Sequence, residues 1–164
     1  MKKKKILFVC TGNTCRSVIA ELLFKKMLAE AQEKSKNRNL KNIDVFSAGI
    51  APIPGINTAP GTLKVLQEEG IDGSCHKSRK LTPDIARDAS VIIVMEERQM
   101  EEIRRMPGAS KYRLFHLDSF PQAGPDKRDV PDPFGHSIEM YRECMEIIRE
   151  HLEGLLKKLT SSEI

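Results

Sequence analysis

Ile6-Leu7-Phe8-Val9-Cys10 is a run of five apolar residues with no polar position inside it. A strand with one wet face alternates apolar and polar side chains. A run without alternation belongs to a strand buried on both faces, which is the condition of a parallel sheet held between helices. Val91-Ile92-Ile93-Val94-Met95 repeats the signal. Neither run approaches the roughly 18–20 residues of a bilayer span, so no membrane partner is expected. With 164 residues the chain has room for one domain, read as spanning 1–164. Lys2 to Lys5 ahead of Ile6 imitates the basic start of a signal peptide, but the apolar part ends after five residues at Thr11-Gly12-Asn13. The expectation is therefore a cytoplasmic protein.

Between these strands the pattern turns helical. Ile19, Leu22, Leu23, Met27 and Leu28 recur at spacings of three and four, and the polar stretch from Ser35 to Asn42 ends that helix. Ile43 to Phe46 reads as a strand closed by Ser47-Ala48-Gly49, followed by an irregular loop containing Pro52, Pro54 and Gly55, long enough to rim a site. Thr58 is the expected cap of the next helix, with Pro60 in its first turn and Gly70 just past its end. Thr82-Pro83-Asp84 opens a short helix, Glu97 to Met106 forms another, and Tyr112 to Leu117 is a fourth strand. The last helix, about Ser137 to Leu159, places Ile138, Tyr141, Met145, Ile148, Leu152, Leu155, Leu156 and Leu159 on one face. Alternating strands and helices with right-handed crossovers predict an α/β fold: a four-stranded parallel sheet flanked by helices on both faces.

In such sheets ligands bind at the carboxyl ends of strands. Cys10-Thr11-Gly12-Asn13-Thr14-Cys15-Arg16-Ser17 stands there, between the first strand and the first helix. A strand-loop-helix junction turns successive N–H groups toward one point, and the positive end of the helix dipole reinforces this anion nest. A cysteine at the first position of such a nest is favoured as the thiolate, the nucleophilic form. Arg16 can hold two phosphate oxygens in a bidentate fork. Gly12 permits close approach of the backbone, Asn13 can fix the loop through its side chain, and Ser17 can donate to the sulfur and assist it as a leaving group. The bland alternative is that a cysteine ending a buried strand is a small hydrophobe. Its bracketing with Arg16 around a loop holding Gly and Asn favours chemistry. The chain contains no G-x-x-x-x-G-K-[ST] sequence, so nucleotide hydrolysis on a P-loop of that type is not supported.

Attack by a cysteine on phosphorus needs an acid for the leaving group, which then becomes the base that activates water. Asp132 is the candidate, in Asp129-Val130-Pro131-Asp132-Pro133-Phe134-Gly135, where Pro133 stiffens the backbone directly after it. Asp and Pro are also ordinary turn residues ahead of a helix, and Phe134 is either core or an apolar wall of the cleft. Four cysteines without a C-x-x-C pair suggest neither a disulfide scaffold nor structural zinc, and the mechanism requires no metal or cofactor. Basic residues number 27 and acidic 23, interspersed along the chain, so the charge of +4 does not mark a nucleic-acid surface.

Val9 to Ser17 together with Asp132-Pro133-Phe134-Gly135 resembles the low-molecular-weight protein tyrosine phosphatase family, with Ser47-Ala48-Gly49 and His76-Lys77-Ser78-Arg79 similar to family segments between them. The resemblance implies a flavodoxin-like three-layer sandwich of the phosphatase I type. It makes Cys10 the nucleophile, Arg16 the phosphate clamp and Asp132 the acid and then base. Thr11 to Ser17 become the phosphate-binding loop, supported by Asn13, Ser17, Ser47 and His76; His76 is otherwise a surface turn residue. It implies phosphorylated proteins or peptides as partners and inorganic phosphate as product. Thr14 stands where many family members have Ile, and with the single aromatic Phe134 it resembles the protein arginine phosphatase branch. Phosphoarginine is thus the favoured substrate and phosphotyrosine the alternative. Cys15 resembles the tyrosine-specific members, in which it captures an oxidised nucleophile as a disulfide; otherwise it is a buried small residue. Many members also have Met-Asp after the third strand where this chain has Met95-Glu96, which leaves contact with Arg16 open. Thiol-dependent arsenate reduction would need a cysteine relay, for which Cys75 and Cys144 are differently spaced. A phosphate-gripping module without catalysis is the remaining alternative.

Overall fold

A computed structural model describes residues 3–35, 37–121 and 129–164; Lys2 of the basic run and Lys36 of the predicted helix break lie outside the described residues. The strands are β1 (Lys4–Cys10), β2 (Ile43–Gly49), β3 (Val91–Val94) and β4 (Leu114–His116). The helices are α1 (Arg16–Lys34), α2 (Pro60–Glu68), α3 (Pro83–Asp88), α4 (Glu97–Arg104) and α5 (Ile138–Thr160). All pairings are parallel, in the order β2-β1-β3-β4, with Ile6 opposite Val45 on one side and Val91 on the other.

The apolar run of β1 behaves as its lack of alternation requires. Ile6, Phe8 and Cys10 pack in the core shared with α1, α2 and α5, while Leu7 and Val9 pack in the core shared with α3 and α4. Phe8 meets Phe24 of α1 edge-on, ring centroids 5.9 Å apart, and both are fully buried. Burial at that level stabilises by about 1.5–3 kcal/mol per side chain, which seats α1 on the sheet. Because β1 is central and its neighbours are reached by crossovers running to opposite sides, the chain reverses its order at β1 and β3. The carboxyl end of β1 is therefore the switch point at which such sheets leave a crevice.

Three expectations are corrected in detail. Thr58 does not cap α2: it is buried and its hydroxyl donates to the Gly73 carbonyl at 2.7 Å, while Ala59 occupies the cap position without a side-chain bond. Pro60 lacks one of the N–H groups a cap would satisfy, so the helix tolerates this start. Thr82 does cap α3, accepting from the Ile85 N–H at 3.3 Å. The helix after β3 ends at Arg104, because Met106 already turns toward Gly108, whose φ is +81°. The fourth strand covers only Leu114–His116, since Tyr112 turns its hydroxyl to the Pro107 carbonyl at 2.8 Å. Helix α5 agrees with its pattern, with Tyr141, Met145, Ile148, Leu152, Leu155 and Leu159 buried. Among the described residues no helix is long and apolar enough to cross a membrane.

Candidate active site

Residues 10–17 leave the end of β1 and close on the first turn of α1. Asn13 is the pivot. Its φ of +54° lies in the left-handed region, which Asn tolerates better than other residues with a side chain. The residue is fully buried, so every polar group on it needs a partner. Its amide nitrogen donates to Ser17 Oγ and to Ser47 Oγ, both at 2.9 Å, and its Oδ1 accepts from the Arg79 N–H at 3.0 Å. Its carbonyl accepts from His76 Nε2 at 2.9 Å, and its own N–H donates to Cys10 Sγ at 3.3 Å. The four residues expected to support the loop, Asn13, Ser17, Ser47 and His76, thus form one network.

That network has a direction, set by Glu21, which pattern reading passed over. Ser47 Oγ donates to Glu21 Oε2 at 2.5 Å, and Lys25 holds the other carboxylate oxygen at 2.5 Å. A carboxylate only accepts, so the Ser47 proton is committed and its lone pair faces the Asn13 amide. The amide's second hydrogen makes Ser17 Oγ an acceptor. The proton left on Ser17 faces Cys10 Sγ at 3.0 Å, so the sulfur is presented with two donors. The available signal was a carboxylate standing within the apolar stretch Val18 to Phe24, four residues after Ser17.

Gly49 sets how closely β2 approaches the loop: a Cβ there would lie 2.6 Å from the Thr11 carbonyl oxygen. The Ile50 and Ala51 N–H groups bind the Cys10 and Thr11 carbonyls at 2.9 and 3.1 Å, and the Ala59 N–H binds the Thr14 carbonyl at 3.1 Å. Gln99, also missed, is buried and donates from Nε2 to Thr11 Oγ1 at 3.2 Å, while its Oε1 accepts from Met95 and Glu96 N–H. It could not be separated from an ordinary helix residue without the fold.

Arg16 is 2% exposed. Its Nη1 donates to Glu96 Oε1 and to the Val130 carbonyl, the latter at 2.8 Å, and its Nη2 lies 3.2 Å from Asp132 Oδ2. Glu96 therefore reaches Arg16 despite standing where many family members have Asp. Nε is buried and meets no acceptor among the described residues. Burial works against the guanidinium charge, yet the Cys10 sulfur, Glu96 and Asp132 together hold its pKa above the ordinary value. Burial also pushes the Cys15 thiol up, against the hydroxyls of Thr14 and Tyr141, 3.7 and 3.8 Å from the sulfur, that pull it down. Cys10 and Cys15 are both free cysteines.

Asp132 is half exposed, and its Oδ1 accepts from the Phe134 N–H at 3.2 Å, the turn expected of Asp-Pro. Cys10, Thr11, Gly12, Thr14, Cys15 and Arg16 line a cleft of about 300 Å³. Asp132 and Phe134 border it on one side; Ala51, Ile53 and Ile56, from the irregular loop after β2, border it on the other. Phe134 is 66% exposed, so it is neither core nor a closed wall but part of an apolar rim with the exposed Ile53 and Ile56. Every site residue named from the sequence meets at this cleft or in the network beneath it. Cys75 is exposed and Cys144 is buried.

The family of low molecular weight phosphotyrosine protein phosphatases matches this chain over residues 5–163. A protein-arginine-phosphatase of Bacillus subtilis (strain 168) is 34% identical over 154 residues, covering 94% of this chain and 95% of that protein. A probable low molecular weight protein-tyrosine-phosphatase, EpsP, of Ralstonia nicotianae is 29% identical over 156 residues, covering 95% and 96%. The structure of the YwlE arginine phosphatase from Geobacillus stearothermophilus superposes with a TM-score of 0.81 at 30% identity, covering 98% of this chain and 95% of that one. A cysteine at the end of β1 facing two donors, an arginine buried between two carboxylates and a match along nearly the whole length have one common meaning: the chain belongs to the low molecular weight phosphotyrosine protein phosphatase family, the cysteine-dependent phosphatases.

Proposed function

We propose that this phosphatase removes phosphate from phosphoarginine in proteins, through a phosphocysteine intermediate on Cys10. The single observation that carries the substrate is Thr14. Its carbonyl is tied to the Ala59 N–H, and the residue lines the cleft beside Cys10. A hydroxyl there offers a hydrogen bond to a guanidinium or to an attacking water, where Ile would offer only bulk. Similarity to protein-arginine-phosphatases at 34% and 33% identity supports the same reading.

In this mechanism the Cys10 thiolate attacks phosphorus in line with the departing guanidine nitrogen. The S–P bond forms as the P–N bond breaks, and Asp132 gives its proton to the nitrogen. Charge on the equatorial oxygens is held by N–H groups of the loop other than that of Asn13, which serves the sulfur, and by Arg16, whose Nε, unpartnered among the described residues, supplies a further donor. Asp132 then takes a proton from water as the water attacks phosphorus; the S–P bond breaks, phosphate leaves and Ser17 stabilises the returning thiolate. Cys15 serves as the resolving thiol for an oxidised Cys10, and a reducing cytoplasm suits such a site.

The apolar rim of Ile53, Ile56 and Phe134 favours phosphotyrosine as the second reading. Phosphate release from matched phosphoarginine and phosphotyrosine peptides by the wild type, Thr14→Ile and Cys10→Ser tests the proposal. Phosphoarginine cleavage should dominate in the wild type, shift toward phosphotyrosine by roughly tenfold or more in Thr14→Ile, and vanish for both peptides in Cys10→Ser. Unchanged preference in Thr14→Ile removes the argument for arginine, and turnover by Cys10→Ser removes the covalent mechanism.

A further inference from the structure

The carboxyl end of β4 carries His116, 7% exposed, which takes no part in the phosphate loop's own network. The Asp118 N–H donates to its Nδ1 at 3.2 Å, which puts a lone pair on Nδ1 and the proton of the neutral ring on Nε2. Nε2 then donates to Asp129 Oδ1 at 2.9 Å. In the imidazolium, Nδ1 turns donor toward Asp118 Oδ1, 2.8 Å away, and Nε2 still donates to Asp129. Both protonation states make the same bond. Glu97 and Arg104 of α4 line the same cavity as the ring, with Asp118 and Asp129.

Asp129 begins the segment that ends in the proposed acid. Its Oδ1 also accepts from the Glu97 N–H at 2.9 Å. Next in the chain, the Val130 N–H donates to the Met95 carbonyl at 2.9 Å and the Val130 carbonyl accepts from Arg16. Pro131 has a fixed φ, and Pro133 confines Asp132 to extended backbone. The Val130 bonds fix the middle of this segment, so the His116 bond sets the orientation in which Asp129 enters it, and the two prolines leave few soft torsions between that entry and the Asp132 carboxylate.

We propose that His116 is a positioning residue for proton transfer: by holding Asp129 it sets where Asp132 meets the leaving group. The inference rests on the reading of Asp132 as the acid. Its signature is dependence on the leaving group, because a good leaving group departs unprotonated while a poor one needs the proton delivered in place.

The test measures kcat/KM on aryl phosphates from dinitrophenyl to phenyl for the wild type, His116→Ala, His116→Gln, Asp132→Ala and the double variant His116→Ala/Asp132→Ala. His116→Ala should lose about tenfold on phenyl phosphate and under about twofold on the dinitrophenyl ester. His116→Gln, with an amide N–H near the place of Nε2, should recover most of the loss. In the double variant the His116 change should add nothing to the loss from Asp132→Ala, since its only route to the chemistry is gone. A uniform loss across leaving groups, or additive losses in the double variant, would overturn the proposal. If His116→Ala does not fold, Asp129→Ala is read by the same comparison, with the same outcomes. If Asp132→Ala is itself insensitive to the leaving group, the acid assignment falls and this inference with it. If Asp132→Ala is sensitive and His116→Ala is not, only the inference falls.

Discussion

Gly49→Ala puts a methyl group between the end of β2 and the phosphate loop. Built on the present backbone, the new Cβ lies 2.6 Å from the Thr11 carbonyl oxygen, 3.1 Å from Asn13 Cβ and 3.2 Å from Asn13 N. Ordinary contact begins near 3.4 Å, so the strand and Thr11 must separate by about 0.8 Å. The strand cannot easily supply that movement, because the Gly49 N–H is bound to the Arg79 carbonyl at 2.9 Å and its carbonyl to the Leu81 N–H at 2.8 Å. The loop yields instead, and the Asn13 N–H that it carries is a donor to Cys10 Sγ, at 3.3 Å. Overpacking of this kind costs about 1–3 kcal/mol of stability. A displacement near 1 Å at a reacting centre costs on the order of a hundredfold in rate. Urea unfolding and kcat/KM on an aryl phosphate measure the two effects. Gly12→Ala is the contrast, since a Cβ at Gly12 would meet only Thr14 Oγ1, at 3.8 Å; it should unfold like the wild type. A Gly49→Ala protein with wild-type stability and activity within about twofold would show that the loop does not depend on this close approach.

Ser47→Ala leaves an Asn13 donor and the buried side of Glu21 without their shared hydroxyl. The expected cost is about 1–3 kcal/mol, together with slower alkylation of Cys10 at fixed pH, because Ser17 is no longer held with its proton toward the sulfur; an unchanged alkylation rate would refute the polarity assigned to the chain. Burial pushes the Cys144 thiol up to about 12 from an ordinary value of 9.0. Below pH 9 the folded and unfolded states both keep this proton; above it only the unfolded chain ionises, so stability falls by roughly 2 kcal/mol by pH 10.5. Cys144→Ala removes that loss, and the stability gap between variant and wild type in urea titrations should narrow or reverse from pH 7 to pH 10.5; parallel pH curves would contradict it.

The layered fold was legible from β1 outward, since five apolar residues without alternation admit little besides a strand covered on both faces. Cap chemistry was legible where it is local, as at Thr82, and misleading at Thr58, whose hydroxyl is taken by Gly73 fifteen residues away. Cys10, Arg16 and Ser17 could be grouped from spacing because they share one loop, and Asp132 from its stiffened turn. Glu21 stood out only as a carboxylate within an apolar stretch, and Gln99 not at all: what each does becomes visible when Ser47 or Thr11 is brought against it.

The division follows from the range of the forces involved. Burial of apolar side chains and the torsional preferences of Asn, Gly and Pro act within a few residues, so the sequence by itself determined the sheet, the loop and the identity of the residues that line the cleft. The seating of Arg16 between Glu96 and Asp132 and the tie from His116 to Asp129 join residues 13 to 116 positions apart, and the direction of the hydrogen bonds around Cys10 is set by the bond from Ser47 to Glu21, 26 positions apart. Only the tertiary structure decided those. A hydrogen bond has direction and a reach of about 3 Å, and nothing in the order of the chain encodes a distance that short between residues so far apart.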